Sequence, residues 1–117
     1  MSAERLAARV FAEWLDDPTE CRFAFDLILD PATARIFGDW PIFGAVDLEG
    51  PGRRAFLLEA DGALGFGDVD RAWRTDLREK RIAVGERFAL WWSPADCGVY
   101  EIVKIAILGS KTLGRRT

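Results

Sequence analysis

The sequence predicts a mainly β fold, a small antiparallel β-barrel or sandwich with one N-terminal amphipathic helix. Three observations lead to this class. Cys, Phe or Leu occupies every second position through residues 21–29, turn signals recur at roughly ten-residue spacing after them, and the segment before them has helical spacing instead. We expect one domain over residues 1–108, made of a helix (2–16) and a β core (21–108), followed by a basic C-terminal tail (109–117).

The helix is predicted from steps of three and four between apolar residues, which place them on one helical face. Ser2 can cap the first turn, and Pro18 stops the helix from continuing. The face must pack on the sheet or on a partner. Its members are Ala3, Leu6, Ala7, Val10, Phe11, Trp14 and Leu15.

The first predicted strand spans residues 21–29, where alternate residues are Cys, Phe, Phe, Leu and Leu. "DPAT" (30–33) is a turn in which proline presets φ. A second strand is predicted over 41–49, with Gly44 marking a bulge. The "GPG" and "DG" turns then bound another apolar run over 53–60.

The next segment is rich in glycine. Residues 62–70, "GALGFGDVD", contain three glycines and favour a mobile loop that exposes Leu64 and Phe66. Residues 71–81 favour one or two helical turns with their apolar residues on one side. No glycine order or acidic spacing here matches a dinucleotide loop or a calcium loop.

A final strand pair is predicted over residues 82–92 and 98–108. Both faces of the last strand are apolar from Ile105 onward, which indicates a strand covered on each side. Trp91 and Trp92 are adjacent and must point to opposite faces of their strand. One indole can enter the core, while the other lies under the helix, in an interface or in water.

Polar chemistry is sparse in this chain. It contains no His, Asn or Gln, so the commonest general base and metal ligand are missing. Cys21 and Cys97 lack CxxC spacing; they could form one disulfide, but nothing indicates an oxidising compartment, and reduced thiols are the prediction. "GSKT" (109–112) departs from a phosphate loop, because serine separates its glycine and lysine. We therefore predict no catalytic, cofactor-binding or metal-binding residue, and a protein that is not an enzyme.

Net charge and hydropathy limit the partners. The net charge of −3 and pI of about 5.0 give no field that attracts nucleic acid, so sequence-specific binding to it is not expected. Charged residues interrupt every apolar run before the roughly 20 residues that span a bilayer, and they run through the N-terminal segment. A cytoplasmic protein without a membrane partner is the expectation.

Contact residues are predicted instead. Exposed aromatic and apolar side chains and the basic tail are the candidates, because tryptophan is enriched at interfaces and a basic tail can reach an acidic surface. The predicted interface set is Trp40, Leu64, Phe66, Trp91, Trp92, Lys111, Arg115 and Arg116.

Four stretches, "PIFGAVDLEGPG", "AFLLEADG", "REKRIAVGERFAL" and "YEIVKIAILG", resemble small head–tail joining proteins of tailed bacteriophages, of the connector or stopper kind. The resemblance implies a β-barrel that forms an oligomeric ring in the virion, between portal or adaptor and tail, with loop 62–69 facing the DNA channel. Copies of the chain and neighbouring assembly proteins would be its partners. The matching residues are Phe43, Gly44 and Asp47, then Ile82, Gly85, Tyr100, Ile102 and Val103.

Two hypotheses follow, with a weaker third. The first is a non-enzymatic assembly protein acting by protein–protein contact, in particular the phage connector. The second is an acidic immunity protein, antitoxin or inhibitor whose carboxylates cover the basic site of a bacterial effector. The third is an enzyme built on carboxylates or Cys97, which would need a pocket that perturbs a titratable group.

Overall fold

The computed structural model describes residues 4–48, 52–67 and 73–112. Within them the mainly β fold is confirmed: the chain forms nine strands and one 3-10 helix, Leu77–Glu79. The strands are β1 (Glu4–Trp14), β2 (Phe23–Asp30), β3 (Arg35–Ile36), β4 (Ile42–Leu48), β5 (Gly52–Leu58), β6 (Ala63–Gly65), β7 (Trp73–Thr75), β8 (Arg87–Trp91) and β9 (Cys97–Thr112).

Eight of these strands close into an antiparallel barrel. From β4 to β9, strands that follow one another in the chain pair in that order, and β2 pairs with β4. β1 closes the ring because it pairs with both β2 and β9. β3 lies outside the ring, on the end of β2. Closure pairs the sheet edges that an open sheet would leave free.

The predicted helix over residues 2–16 is wrong, because this segment forms β1. Its sequence also alternates with a period of two: Ala8, Val10 and Ala12 point inward and are buried, whereas Arg9 is exposed. The same apolar residues satisfy helical spacing as well, so periodicity alone does not decide. The segment forms a strand because it pairs with β2 and β9, and such tertiary contacts override local propensity.

Aromatic side chains fill the barrel interior. The ring centroid of Phe23 lies 5.1 Å from that of Tyr100 and 5.7 Å from that of Phe56. Phe88 stacks on Tyr100 at 5.8 Å, and Phe25 stacks on Phe23 at 5.4 Å. The inward face predicted for β2 is confirmed. Eight-stranded barrels are filled by side chains or hold one small ligand, and this interior is occupied by its own side chains.

Gly44 serves this packing and does not mark a bulge. The register of β4 runs regularly through it, opposite Phe25 on β2 and Phe56 on β5. A Cβ at this position would lie 2.5 Å from the Phe56 ring and 2.7 Å from the Ala24 carbonyl oxygen. Glycine is therefore required for the Phe56 ring to cross β4.

The segment after β7 packs at the end of the barrel where β5 ends and β4 begins. The helical turn expected within residues 71–81 is present as the 3-10 helix, while Trp73 belongs to β7. Leu77 and Ile82 are both buried. The Ile82 N–H donates to the carbonyl of Ala34, which joins this segment to the β2–β3 turn.

Arg78 ties this end of the barrel together. Its guanidinium donates to four backbone carbonyl groups from two separate parts of the chain. Burial lowers the pKa of Arg78, and the nearby charges of Asp39 and Glu59 oppose that shift. The acceptors are the carbonyl oxygens of Trp40 (2.8 Å), Glu59 (2.9 Å), Leu58 (3.0 Å) and Gly38 (3.3 Å).

Candidate protein-contact site

β9 continues well beyond the end of β8, the strand that pairs with one of its two sides. β8 pairs with it only over Cys97–Glu101, and Ile102 makes two further backbone hydrogen bonds, with Gly85 and Glu86. Beyond Ile102, β9 pairs with β1 alone. Within the described residues, positions 103–112 therefore form a sheet edge with no strand beside it, which we call the open edge.

Hydrogen bonding at the far end of β1 shows which way its backbone groups point. Peptide groups of successive residues in an antiparallel strand point alternately to the neighbours on its two sides. The Leu15 N–H donates to the Val99 carbonyl at 3.0 Å, so the peptide groups of the odd-numbered residues of β1 point toward β9. The peptide groups of the even-numbered residues consequently point toward β2.

Ile105 and Ile107 therefore point their backbone N–H and C=O groups away from β1. They lie opposite the even-numbered Val10 and Ala8, whereas Ala106, between them, lies opposite Arg9. The register shifts in this ladder fall on either side, and the pairing between them is regular. In the part of the chain that the structure describes, no strand takes up these four outward groups.

The side chains beside the open edge are apolar and exposed. Ile107 and Leu108 are each 55% exposed, and Val103 is 38% exposed. The exposure of Ile107 and Leu108 contradicts the expectation that this strand is covered on each side from Ile105 onward. The one charge from residue 102 to 109 is Lys104, whose Nζ lies 5.5 Å from the Phe11 ring. Natural edge strands are usually protected by several charges or by proline.

A shallow groove crosses the outer face of the barrel. Two clefts of about 320 and 360 Å³ share Ala24 and Arg53 in their walls. Small residues at Ala24, Ala45 and Ala55 lie opposite one another on β2, β4 and β5 and form its floor. The groove exists because large side chains are absent from three adjacent outward positions.

Ion pairs line this groove. Arg9 binds Asp26 through two hydrogen bonds of 2.7 and 2.9 Å. The hydrogen bond from Arg9 and, secondarily, the charge of Asp26 raise the pKa of the Arg9 guanidinium. Asp47 accepts a 3.2 Å hydrogen bond from Arg53. Exposed pairs of this kind contribute little to stability and leave the groove polar at its rim.

Aromatic rings cluster where β1 ends and β9 begins. Trp14 and Trp92 meet edge to face, with centroids 5.3 Å apart. Gly98 makes room for them, because a Cβ there would lie 2.5 Å from Trp92 and 2.8 Å from the Trp14 Nε1 atom. Behind them, burial raises the pKa of Tyr100, and Cys21 adds to the shift.

Two of the predicted interface residues lie in the core. Leu64 and Phe66 are 2% and 9% exposed, so the expectation of exposed side chains on a mobile loop is wrong. The reason is strand pairing: Ala63–Gly65 is β6, held between β5 and β7. Phe66 packs on Trp73 at 5.1 Å. Residues 68–70 of the same segment lie outside the described residues.

The predicted interface tryptophans divide by exposure. Trp40 is 55% exposed and packs edge-on against Phe37 at 5.8 Å. Trp91 and Trp92 are both partly buried, and Trp92 packs against the core beside Trp14. An interface role for these three residues stays a prediction.

The segment interpreted as a basic tail begins as strand. Residues 109–112 belong to β9, so the last strand continues past its predicted end at residue 108, because β1 continues to pair with this stretch. Lys111 lies opposite Arg5 in that ladder. Arg115 and Arg116 lie outside the described residues.

The sequence reading missed the open edge, although its signal was present. An apolar run on both faces of a strand indicates burial, but within the described residues no further strand covers this one. Both cysteines are free thiols, Cys97 exposed and Cys21 partly buried. Among the described residues, no group of three or more Cys, Asp or Glu side chains is placed to bind a metal ion.

Comparison with family models, with characterised proteins and with solved structures found no match for this chain. Within the described ranges, no helix has the length and apolar character needed to cross a membrane. The resemblance to phage head–tail joining proteins therefore stays a prediction from sequence.

Proposed function

We propose that this protein is a non-enzymatic assembly protein that acts by protein–protein contact, and that it binds through the open edge of β9. The observation that carries the proposal is the pair of outward-facing peptide groups at Ile105 and Ile107, on an apolar edge that no described strand covers. An extended segment added to such an edge continues the sheet, which is a common mode of protein recognition.

The energetics suit a contact site. Each backbone hydrogen bond gained contributes about 0.5–1.5 kcal/mol net. Ile107 and Leu108 add apolar area, which stabilises by about 25 cal/mol per Å² removed from water. The barrel interior is filled by Phe23, Phe56 and Tyr100, so a partner has the outer surface to bind.

The particular form that we propose is a connector ring of a tailed bacteriophage, in which copies of the chain contact each other and neighbouring assembly proteins. Its support is the resemblance of the sequence; the open edge supplies one contact of this assembly, and the contacts around the ring use other surfaces of the barrel. Loop 62–69 has no place in this proposal as a moving element, since Leu64 and Phe66 pack in the core.

In-cell photo-cross-linking tests the proposal. A benzoylphenylalanine residue is placed at Leu108, beside the open edge, or at Phe43, on the outer face of β4. The two positions are a matched pair, because each native side chain is 55% exposed. We expect protein adducts from position 108 and none from position 43, in cells that express the neighbouring genes.

Two outcomes would contradict the proposal. The first is a folded protein that yields no adduct from position 108. The second is an adduct from position 43 alone, to a basic effector protein, which would place the contact in the outer groove and favour an inhibitor.

A further inference from the structure

We propose that the open edge pairs with the same edge of a second copy of this chain, antiparallel, about a two-fold axis at Ala106. This inference rests on the proposed function and names the partner of that site. It joins two barrels through one continuous sheet, in the order β1–β9 of one copy and β9–β1 of the other.

The peptide directions in the regular stretch of β9 between its two register shifts select the register. Two strands pair through residues that both face the new neighbour, and around this point those residues are Ile105 and Ile107. Pairing Ile105 of each copy with Ile107 of the other satisfies all four outward groups of these two residues on both strands. A register displaced by two residues in either direction leaves one of the two isoleucines opposite a residue that faces β1 or lies in a register shift.

The facing side chains are compatible in this register. Ala106 faces its own counterpart, and a small residue at the axis allows close approach. Lys104 lies opposite Leu108 of the other copy, so no like charges face each other. The exposed Ile107 and Leu108 are both beside the new strand and lose contact with water.

The composition of the strand favours a second copy over a foreign segment. Residues 102–108, "IVKIAIL", combine high β-propensity with a single charge and no proline, which is the pattern of segments that pair with themselves. A two-fold contact needs only one surface that complements itself, and this edge supplies its own donors and acceptors in matched number.

Cysteine cross-linking tests the register. The parent carries Cys97→Ser, because Cys97 is exposed, and it measures any background from Cys21. Ala106→Cys puts the two thiols in a non-hydrogen-bonded pair with Cα atoms about 4.5 Å apart, within disulfide reach. Leu108→Cys is the matched control, since its two copies lie about 14 Å apart along the strands, four residues at about 3.4 Å each.

Under mild oxidation of the purified full chain, we expect Ala106→Cys to form a disulfide-linked dimer and Leu108→Cys to stay monomeric, although Leu108 is the more exposed. In sedimentation equilibrium, Ile107→Pro should weaken self-association at least tenfold and keep the far-UV spectrum, because it removes an N–H that points away from β1.

A folded Ala106→Cys protein that stays monomeric, or a Leu108→Cys protein that cross-links equally well, overturns the inference. The photo-cross-linker at Leu108 separates this failure from failure of the proposed function. If it captures a different protein while Ala106→Cys stays monomeric, the open edge binds a partner but not a second copy. If it captures nothing, both ideas fail.

Discussion

Replacing Arg78 by Ala should destabilise the barrel by about 3 kcal/mol. The side chain donates four hydrogen bonds to backbone carbonyls, two of them partly buried and two exposed. Counting about 1 kcal/mol for each partly buried bond and about 0.5 kcal/mol for each exposed bond gives a total of this size. Among the described residues, no other side-chain hydrogen bond holds the 38–40 turn against the end of β5.

Urea unfolding at 25 °C, followed by tryptophan fluorescence, measures this loss. Arg81→Ala is the matched control, because Arg81 is exposed and has no hydrogen bond or ion pair within the described residues. It should change the free energy of unfolding by less than about 0.5 kcal/mol. Arg78→Lys should recover part of the loss, since an ammonium can reach fewer of the acceptors. If Arg78→Ala costs no more than Arg81→Ala, the assignment of Arg78 as the tie at this end is refuted.

Three more predictions concern the core. Gly98→Ala should destabilise the fold by about 1–3 kcal/mol and alter tryptophan fluorescence, because its methyl group collides with Trp14 and Trp92; unchanged fluorescence and stability would contradict that packing. Phe66→Ala should cost about 3–5 kcal/mol in the same assay if the ring is core, and under 1 kcal/mol if the ring is an exposed contact residue. Tyr100 is the single tyrosine, and its pKa is raised by burial, so its stabilising effect is complete below the unfolded pKa of about 10 and falls as pH rises above it. Absorbance at alkaline pH should show no tyrosinate until the protein unfolds, and Tyr100→Phe should remove that part of the pH dependence; ionisation of the folded protein near pH 10 would contradict it.

The spacing of apolar residues predicted correctly those elements in which only one periodicity, helical or strand-like, is present. In β2, large apolar residues occupy every second position, all but one of the positions between them are small or polar, and Phe23 and Phe25 point inward as expected. In β1, alanines occupy both faces, so the helical and strand patterns coincide. Only the pairing with β2 and β9 resolves that ambiguity, and pairing is a property of the whole chain.

The candidate site was harder to predict for a related reason. Apolar residues on both faces of a strand indicate cover by other layers in a closed fold, and Ile107 and Leu108 fit that pattern. Whether a neighbour exists depends on where β8 stops, and its last pair toward this end is Arg87 with Glu101. The glycines around Leu64 misled in the opposite direction, since they suggested motion where β5 and β7 impose order.

Amide hydrogen exchange of the wild-type chain, resolved by residue with NMR at low and high protein concentration, tests the use of the open edge most directly. We expect the amides of Ile105 and Ile107 to exchange more slowly as concentration rises, while the Ala106 amide, which faces β1, exchanges at the same rate throughout. If the exchange rates of the Ile105 and Ile107 amides do not change with protein concentration up to the solubility limit, pairing of this edge with a second copy is contradicted.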